Sequence, residues 1–358
     1  MRSVMFLIVS GLVAASGGLP ITHAAKNEAP RRNIVILATG GTIAGAGEGG
    51  AAYTSGQFKV EDLIAAVPGL DKVANLKGEQ VANIGSQDMN DQVWLKLAKR
   101  TNQLLSRPDV DGIVITHGTD TMEETAYFLD LVVKSQKPVV LAGSMRPATA
   151  VSADGPGNLY DAVATAVDPG AKGRGVLVVM NDVIYNARDV VKMNTTSLNT
   201  FAAPNRGPAG MVVEGSKVTW FAPSDKRHTS DTEFSVANRT TLPRVEIIYA
   251  HSNMDASLIE DAIRDGAQGL VIAGVGDGNM PKPALDAITK AAKNGIVVVR
   301  STRLPSGAVL RNAEVKDDEL GLVASGELNP GKSRVLVQLA LTTPNHSPAE
   351  VQRMFRQY

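Results

Sequence analysis

The sequence predicts an α/β protein with two domains. The larger, N-terminal one has a mainly parallel sheet covered by helices, and a smaller α/β domain follows it. Three observations predict this. Short β-branched apolar runs alternate with amphipathic helical stretches, the pattern of βαβ units whose parallel sheet is covered on both faces. The alternation lapses between about Thr195 and Leu242 and resumes beyond Pro243. A chain of 358 residues suits two domains at about 100–200 residues each.

The elements follow in order. Strand runs are expected at Asn33–Thr39, Gly112–Thr116, Pro138–Ala142 and Gly175–Met180, with helices over Asp91–Leu105, Met122–Lys134 and Asn158–Val167. A hairpin is expected at Met211–Phe221. Past Pro243 come a strand at Val245–Tyr249, a helix at Leu258–Arg264, a strand at Leu270–Ala273, a helix at Pro283–Lys293 and a strand at Ile296–Arg300. Helices at Pro330–Leu341 and Pro348–Arg356 close the chain. The expected division is 1–24 as a leader, 25–220 as the large domain, 221–243 as a linker and 244–358 as the smaller domain.

The leader reading rests on Arg2, the apolar run Val4–Val9 continuing to Ala15, the breaker Pro20, and Thr22-His23-Ala24 before Ala25. A charged start, a short apolar stretch and a small-residue exit describe a secretory signal peptide. The run falls short of the roughly 20 residues that span a bilayer. An exported protein with no membrane segment in its mature form is therefore expected.

Composition narrows the partners. Lys+Arg 36 equals Asp+Glu 36, so no basic face points to nucleic acid or an anionic membrane. With 44% hydrophobic residues the chain builds a core, and a small molecule is the expected partner. The absence of cysteine removes thiolate nucleophiles, thiolate metal sites and iron–sulfur clusters. His228, His251 and His346 lack metal-ligand spacing.

In open parallel sheets ligands bind beyond the carboxyl ends of strands. The first strand runs into Thr39-Gly40-Gly41-Thr42-Ile43-Ala44-Gly45, where two glycines permit a turn that exposes the Thr42 hydroxyl. Thr42 is either a capping residue or a nucleophile. Gly45-Ala46-Gly47-Glu48-Gly49-Gly50 formally fits a dinucleotide fingerprint, but no helical pattern follows, so that reading is rejected. The loop reads instead as a lid carrying Tyr53.

The strand at Gly112–Thr116 ends in His117-Gly118-Thr119-Asp120-Thr121. Thr121 or Asp120 with Glu124 resembles a capping box. Asp120 would suit a substrate ammonium, and Thr119 a proton relay. His117 is read as a satisfied structural group, because nothing nearby orients it as half of a dyad. Lys192 is either solvated or half of a weak surface ion pair or, if buried beside Thr119 and Asp120, able to deprotonate a hydroxyl.

The segments Thr39–Ala44 and Gly112–Met122 resemble the two signatures of bacterial-type asparaginase/glutaminases. The resemblance runs from about Asn33 to Tyr358 and includes Gly85–Asp91, Ser152–Pro156 and Gly274–Gly276. With the leader, it is similar to the periplasmic type II L-asparaginases. It implies hydrolysis of L-asparagine through a Thr42 acyl-enzyme, with Tyr53 and Glu314 assisting the nucleophile and Thr119, Lys192 and Asp120 forming a second relay. It implies that Ser86 and Gln87 hold the substrate carboxylate, that Thr119 adjoins the substrate and that Asp120 holds its ammonium. It also implies a homotetramer in which Asn279 and Glu314 reach a neighbouring subunit's site, and neither a metal nor an organic cofactor. Asp277 stands where relatives often have asparagine, and Ser144 where alanine also occurs.

Telling asparagine from glutamine means detecting one methylene, which a pocket reads at about 1–3 kcal/mol, so some glutaminase activity is expected. Two other readings remain: a glutaminase-asparaginase using both amides, and a non-catalytic periplasmic amino-acid binding protein.

Overall fold

The run Asn33–Gly40 has no polar side to offer water, and in the computed structural model every residue of it after Asn33 is buried as strand β1. The structure describes residues 30–47, 54 and 56–358. The expected leader, and residues 48–53 of the glycine-rich loop with Tyr53, lie outside the described residues.

Downstream of β1 come α1 (Val60–Ala65), α2 (Leu70–Val73), β2 (Asn75–Ile84), α3 (Asp91–Leu105), β3 (Gly112–Thr116), α4 (Met122–Val132) and β4 (Val139–Ala142). Then follow α5 (Gly155–Val167), β5 (Val176–Met180), β6 (Val183–Asn186), a short ribbon of β7 (Val191–Lys192) and β8 (Phe201–Ala202), and the hairpin β9 (Gly210–Val213) with β10 (Lys217–Trp220). Among the described residues they build an eight-stranded sheet in the order β10-β9-β6-β5-β4-β3-β1-β2. The strands from β2 to β5 run parallel. The direction reverses after β5 at Asn181-Asp182, both at positive φ, the backbone of a tight two-residue hairpin turn.

The smaller part holds β11 (Val245–Tyr249), α6 (Ser257–Arg264), β12 (Gly269–Gly274), α7 (Lys282–Lys293), β13 (Val297–Thr302), α8 (Asp317–Leu320) and β14 (Val323–Ala324). Its four strands pair in parallel in sequence order. α9 (Pro330–Ala340) and α10 (Pro348–Gln357) end the chain. One apolar core joins Leu37, Ile115 and Val178 of the large sheet to Val271 and Val299 of the small one through Leu336 of α9. Phe234 and Val236, from the irregular stretch before Pro243, belong to the same core.

The predicted α/β architecture is observed, and α3 has the expected bounds, with Asn90 capping it by accepting a hydrogen bond from the Val93 N–H. Strand β2 was not expected. It is an edge strand with no continuous apolar run, and only Val81 of its ten residues is buried. The expected capping box at α4 is absent: the Thr121 side chain makes no cap, because its hydroxyl donates instead to the Ser86 carbonyl at 2.7 Å.

Candidate active site

Parallel pairing places the carboxyl ends of β1 and β3 side by side, Ala38 opposite Thr116. β1 leaves the sheet through Gly40 and Gly41, at φ 103° and 84°, a region that costs a side-chain-bearing residue strain. A Cβ on Gly41 would stand 2.4 Å from the Gly118 nitrogen, and one on Gly118 would stand 2.6 Å from the Ser86 hydroxyl. Two loop backbones and the Ser86 side chain therefore touch, and the residues following the two glycines, Thr42 and Thr119, are brought into one neighbourhood. Thr42 opens a single 3-10 turn, Thr42–Ala44, and both threonines are buried. Among the described residues the first α-helix begins only at Val60, so no described residue opens a dinucleotide-binding helix directly after Gly45 and Gly47.

Thr119, Asp120 and Lys192 meet. The Lys192 ammonium donates to the Thr119 hydroxyl at 2.9 Å and to an Asp120 carboxylate oxygen at 2.6 Å. The lysine side chain is 17% exposed and that of the aspartate 59%, so the carboxylate keeps an open side facing a recess that Met193, Asn194 and Thr195 also line. Lys192 is therefore not a freely solvated charge: it is partly buried, paired with an aspartate that stays open to water, and held beside Thr119.

Ser86 and Gln87 sit on the one-turn 3-10 helix after β2. The Asp120 backbone N–H donates to the Ser86 hydroxyl at 3.2 Å, tying that turn to the Thr119 loop. Gln87 is exposed and its amide folds over Gly85, where a Cβ would lie 2.5 Å from it.

His117 is fully buried, its Nδ1 donates to the Gly118 carbonyl at 2.7 Å, and burial lowers its pKa to about 4. It is neutral across the ordinary pH range and faces inward, but it is only half satisfied: its buried Nε2 has no hydrogen-bond partner among the described residues.

Sequence reasoning missed what stands behind Lys192. The Lys192 backbone N–H donates to Glu123 of α4 at 2.6 Å, and the other Glu123 oxygen accepts from the Asn329 amide at 2.6 Å. The buried Lys332 ammonium donates to the carbonyls of Arg188 and Val190, just upstream of Lys192. Glu123 reads in sequence as one more acid in a helix's first turn, so nothing there signals this contact.

Asn279 and Glu314 lie elsewhere, on two loops of the smaller sheet, with the Asn279 amide donating to the Glu314 carboxylate. Among the described residues no hydrogen bond or ion pair joins either of them to Thr119, Asp120 or Lys192. Ser144 is buried and donates to the Arg146 carbonyl at 2.7 Å, and Asp277 accepts from the Leu310 N–H at 2.7 Å.

The family pattern described as "Asparaginase, N-terminal" matches residues 33–226, and that of the "Glutaminase/Asparaginase C-terminal domain" matches residues 244–355. The chain belongs to the asparaginase family. It is 54% identical to L-asparaginase 2 of Escherichia coli strain K12 over 328 residues, 91% of this chain and 93% of that protein. Identity is 53% to a probable periplasmic L-asparaginase of Haemophilus influenzae, covering 93% of this chain and 95% of the relative. A solved structure, a probable cytoplasmic L-asparaginase from Campylobacter jejuni, superposes with a TM-score of 0.88 at 44% identity, over 92% of this chain and 100% of that one. The asparaginase architecture of a large mainly parallel sheet and a smaller parallel one is the architecture described above.

Proposed function

We propose that the protein is an L-asparagine amidohydrolase, forming L-aspartate and ammonia, with lesser activity on L-glutamine. The observation that carries this reading is the Lys192 ammonium held on both the Thr119 hydroxyl and the Asp120 carboxylate, one loop away from the Gly41–Thr42 turn. Hydrolysing an unactivated amide needs a positioned nucleophile, a proton path and a site for the oxyanion. A carrier needs the carboxylate for its ligand's ammonium but has no use for a lysine on a buried hydroxyl.

Thr42 is the nucleophile in this reading. Its oxygen attacks the carboxamide carbon, the hydroxyl proton passes to the departing nitrogen, and ammonia leaves behind an acyl-threonine ester. Water then adds to the ester carbon, and the proton it loses restores the threonine hydroxyl as aspartate departs. Lys192, Thr119 and Asp120 carry protons on one side, and Tyr53 with Glu314 serves the nucleophile on the other. Backbone N–H groups at the Thr42 and Thr119 loops stabilise the oxyanion, commonly the largest catalytic contribution. Asp120 holds the substrate ammonium, while Ser86 and Gln87 hold its carboxylate.

The remaining readings belong with this one. Residues 1–24 direct export to the periplasm, in keeping with the name of the Haemophilus relative. Residues 25–220 hold the nucleophile and relay, 221–243 link, and 244–358 supply Asn279 and Glu314 to a neighbouring subunit of a homotetramer. No metal or organic cofactor takes part.

Ammonia release by the purified protein tests the central claim. Turnover of L-asparagine is expected, with a lower kcat/KM for L-glutamine. Binding of asparagine without ammonia would overturn the enzyme reading in favour of a carrier, and equal kcat/KM values would favour a glutaminase-asparaginase.

A further inference from the structure

A buried arginine sits behind the two loops that carry Asn279 and Glu314. Arg300 is the fourth residue of β13, in a run otherwise free of charge, and is 1% exposed. Arginine has five N–H donors in a rigid fork, and here all five are used. Two go to Asp317, Nε to one oxygen at 2.6 Å and Nη2 to the other at 2.8 Å. Nη1 donates to the carbonyls of Asp277 and Gly278 at 3.0 and 3.3 Å, and Nη2 to the Leu310 carbonyl at 3.2 Å.

These acceptors fall into two groups. Asp277 and Gly278 directly precede Asn279. Leu310 and Asp317 bracket Glu314, and Asp317 also accepts the Asn312 N–H at 2.9 Å. The Leu310 N–H donates to the Asp277 carboxylate at 2.7 Å, joining one loop to the other, and the Asn279 amide meets the Glu314 carboxylate at the far end. A buried pair of this kind is weak evidence for stability, since desolvation offsets much of the attraction. Its contacts all serve to set two surface loops against each other.

We infer that Arg300 is a positioning residue for the neighbouring subunit's active site, acting through the two loops it clamps, with Asp277 as the cross-loop lock. This rests on the reading that Asn279 and Glu314 act across a subunit interface. The arginine touches no reacting group. It sets where Asn279 and Glu314 stand, and misplacing a positioning group by about 1 Å costs on the order of 10²-fold in rate.

Arg300→Lys keeps the charge but loses the fork, and a fall of roughly 10–100-fold in kcat/KM for asparagine is expected. A residue that merely supports its own subunit would also lower activity, so the deciding measurement uses mixed assemblies recovered through two affinity tags. Arg300→Lys subunits, with an intact nucleophile, are combined with Thr42→Ala subunits, which have intact loops. If Arg300 serves the neighbour, the mixture is far more active than the sum of its parents. Asn279→Ala combined with Thr42→Ala is the control for the underlying reading.

Rescue of the control but not of Arg300→Lys would overturn the inference alone. Failure of both would overturn the cross-subunit reading and the inference with it. Wild-type activity in a folded Arg300→Lys protein would also end the inference. Should that variant not fold, Asp277→Ala decides by the same mixing, with a roughly fivefold fall expected for one lost hydrogen bond. Asp277→Asn, which keeps an acceptor for Leu310, is expected to restore the rate, and its failure to do so would remove Asp277 as the lock.

Discussion

The strand-end cluster of the large sheet and the loop pair of the small sheet both hold polar side chains in place, by opposite means. At Thr42 and Thr119 the sheet itself does the holding: Ala38 lies opposite Thr116, and glycine contacts leave no slack between the loops that follow. At Asn279 and Glu314 the side chains stand at the surface, and their loops are set by a guanidinium buried beneath them. Backbone register locates the first pair, with the Ser86 hydroxyl only tying in the Thr119 loop, whereas the second pair depends on Arg300. Substitutions should therefore hurt the first region only where they remove chemistry or insert a clash, and the second also where they loosen a support.

The largest expected effect is at Thr42. Thr42→Ala should lower ammonia release by at least about 3–4 orders of magnitude, the usual cost of deleting a nucleophile, with an unchanged melting profile. If the variant kept wild-type activity, the strand-end region would lose its standing as the seat of reaction. Lys192→Met comes next, with a fall in kcat of about 10²–10³-fold expected for removing a proton-transfer group and little change in fold. A fall in the Thr119→Val variant of similar size, with a double variant no worse than either single one, would show that the two act as a unit. Kinetics identical to wild type would reduce Lys192 to a charge with no role in turnover.

Gly41→Ala tests the glycine contact directly. The added methyl would meet the Gly118 backbone at 2.4 Å with φ at 84°, so a shift of the Thr42 turn and a loss of about 10²-fold in kcat/KM are expected from misplacement alone. Gly276, on the loop to Asn279, also has positive φ, but a Cβ there would meet nothing within 4 Å. Gly276→Ala should cost strain of order 1 kcal/mol in stability and far less activity. Equal losses at the two glycines would erase the contrast between the regions.

The two regions were not equally legible in sequence. Buried parallel strands announce themselves as unbroken β-branched runs, so β1, β3, β4 and β5 could be read to within a residue, and with them the strand ends where Thr42 and Thr119 sit. Edge strand β2 has neither a continuous apolar run nor a regular alternation, and escaped. Thr121 and Glu124 have the spacing of a capping box, yet spacing cannot show that Ser86, distant in sequence, offers Thr121 a carbonyl. The Glu123 contact to Lys192 and the Arg300 clamp both join segments far apart in the chain. A lone arginine closing an apolar strand run was the visible trace of the second, since burial of such a charge requires a partner.

The smallest expected effect on turnover, read in stability alone, concerns a buried acid that, unlike Asp317, has no arginine fork. Asp130 of α4 is buried, and its carboxylate accepts the Val176 N–H at 2.7 Å. Burial pushes its pKa up to about 7, further than that hydrogen bond and the nearby Arg188 and Lys332 charges pull it down, and Asp189 adds to the rise. An unfolded aspartate titrates near 3.9, so between about 4 and 7 the folded chain binds the extra proton. The stability this group contributes is complete below about pH 4, is lost as pH rises through 7 and changes no further above it. Asp130→Asn keeps an oxygen for Val176 and removes the titration, so it should melt higher than wild type at pH 8. The advantage should be at most about 4 kcal/mol, the linkage value for titration near 7 rather than 3.9, and should shrink towards pH 4.5. Thermal melts of both proteins at those two pH values check it, and parallel pH dependence would mean that Asp130 does not take up the extra proton on folding.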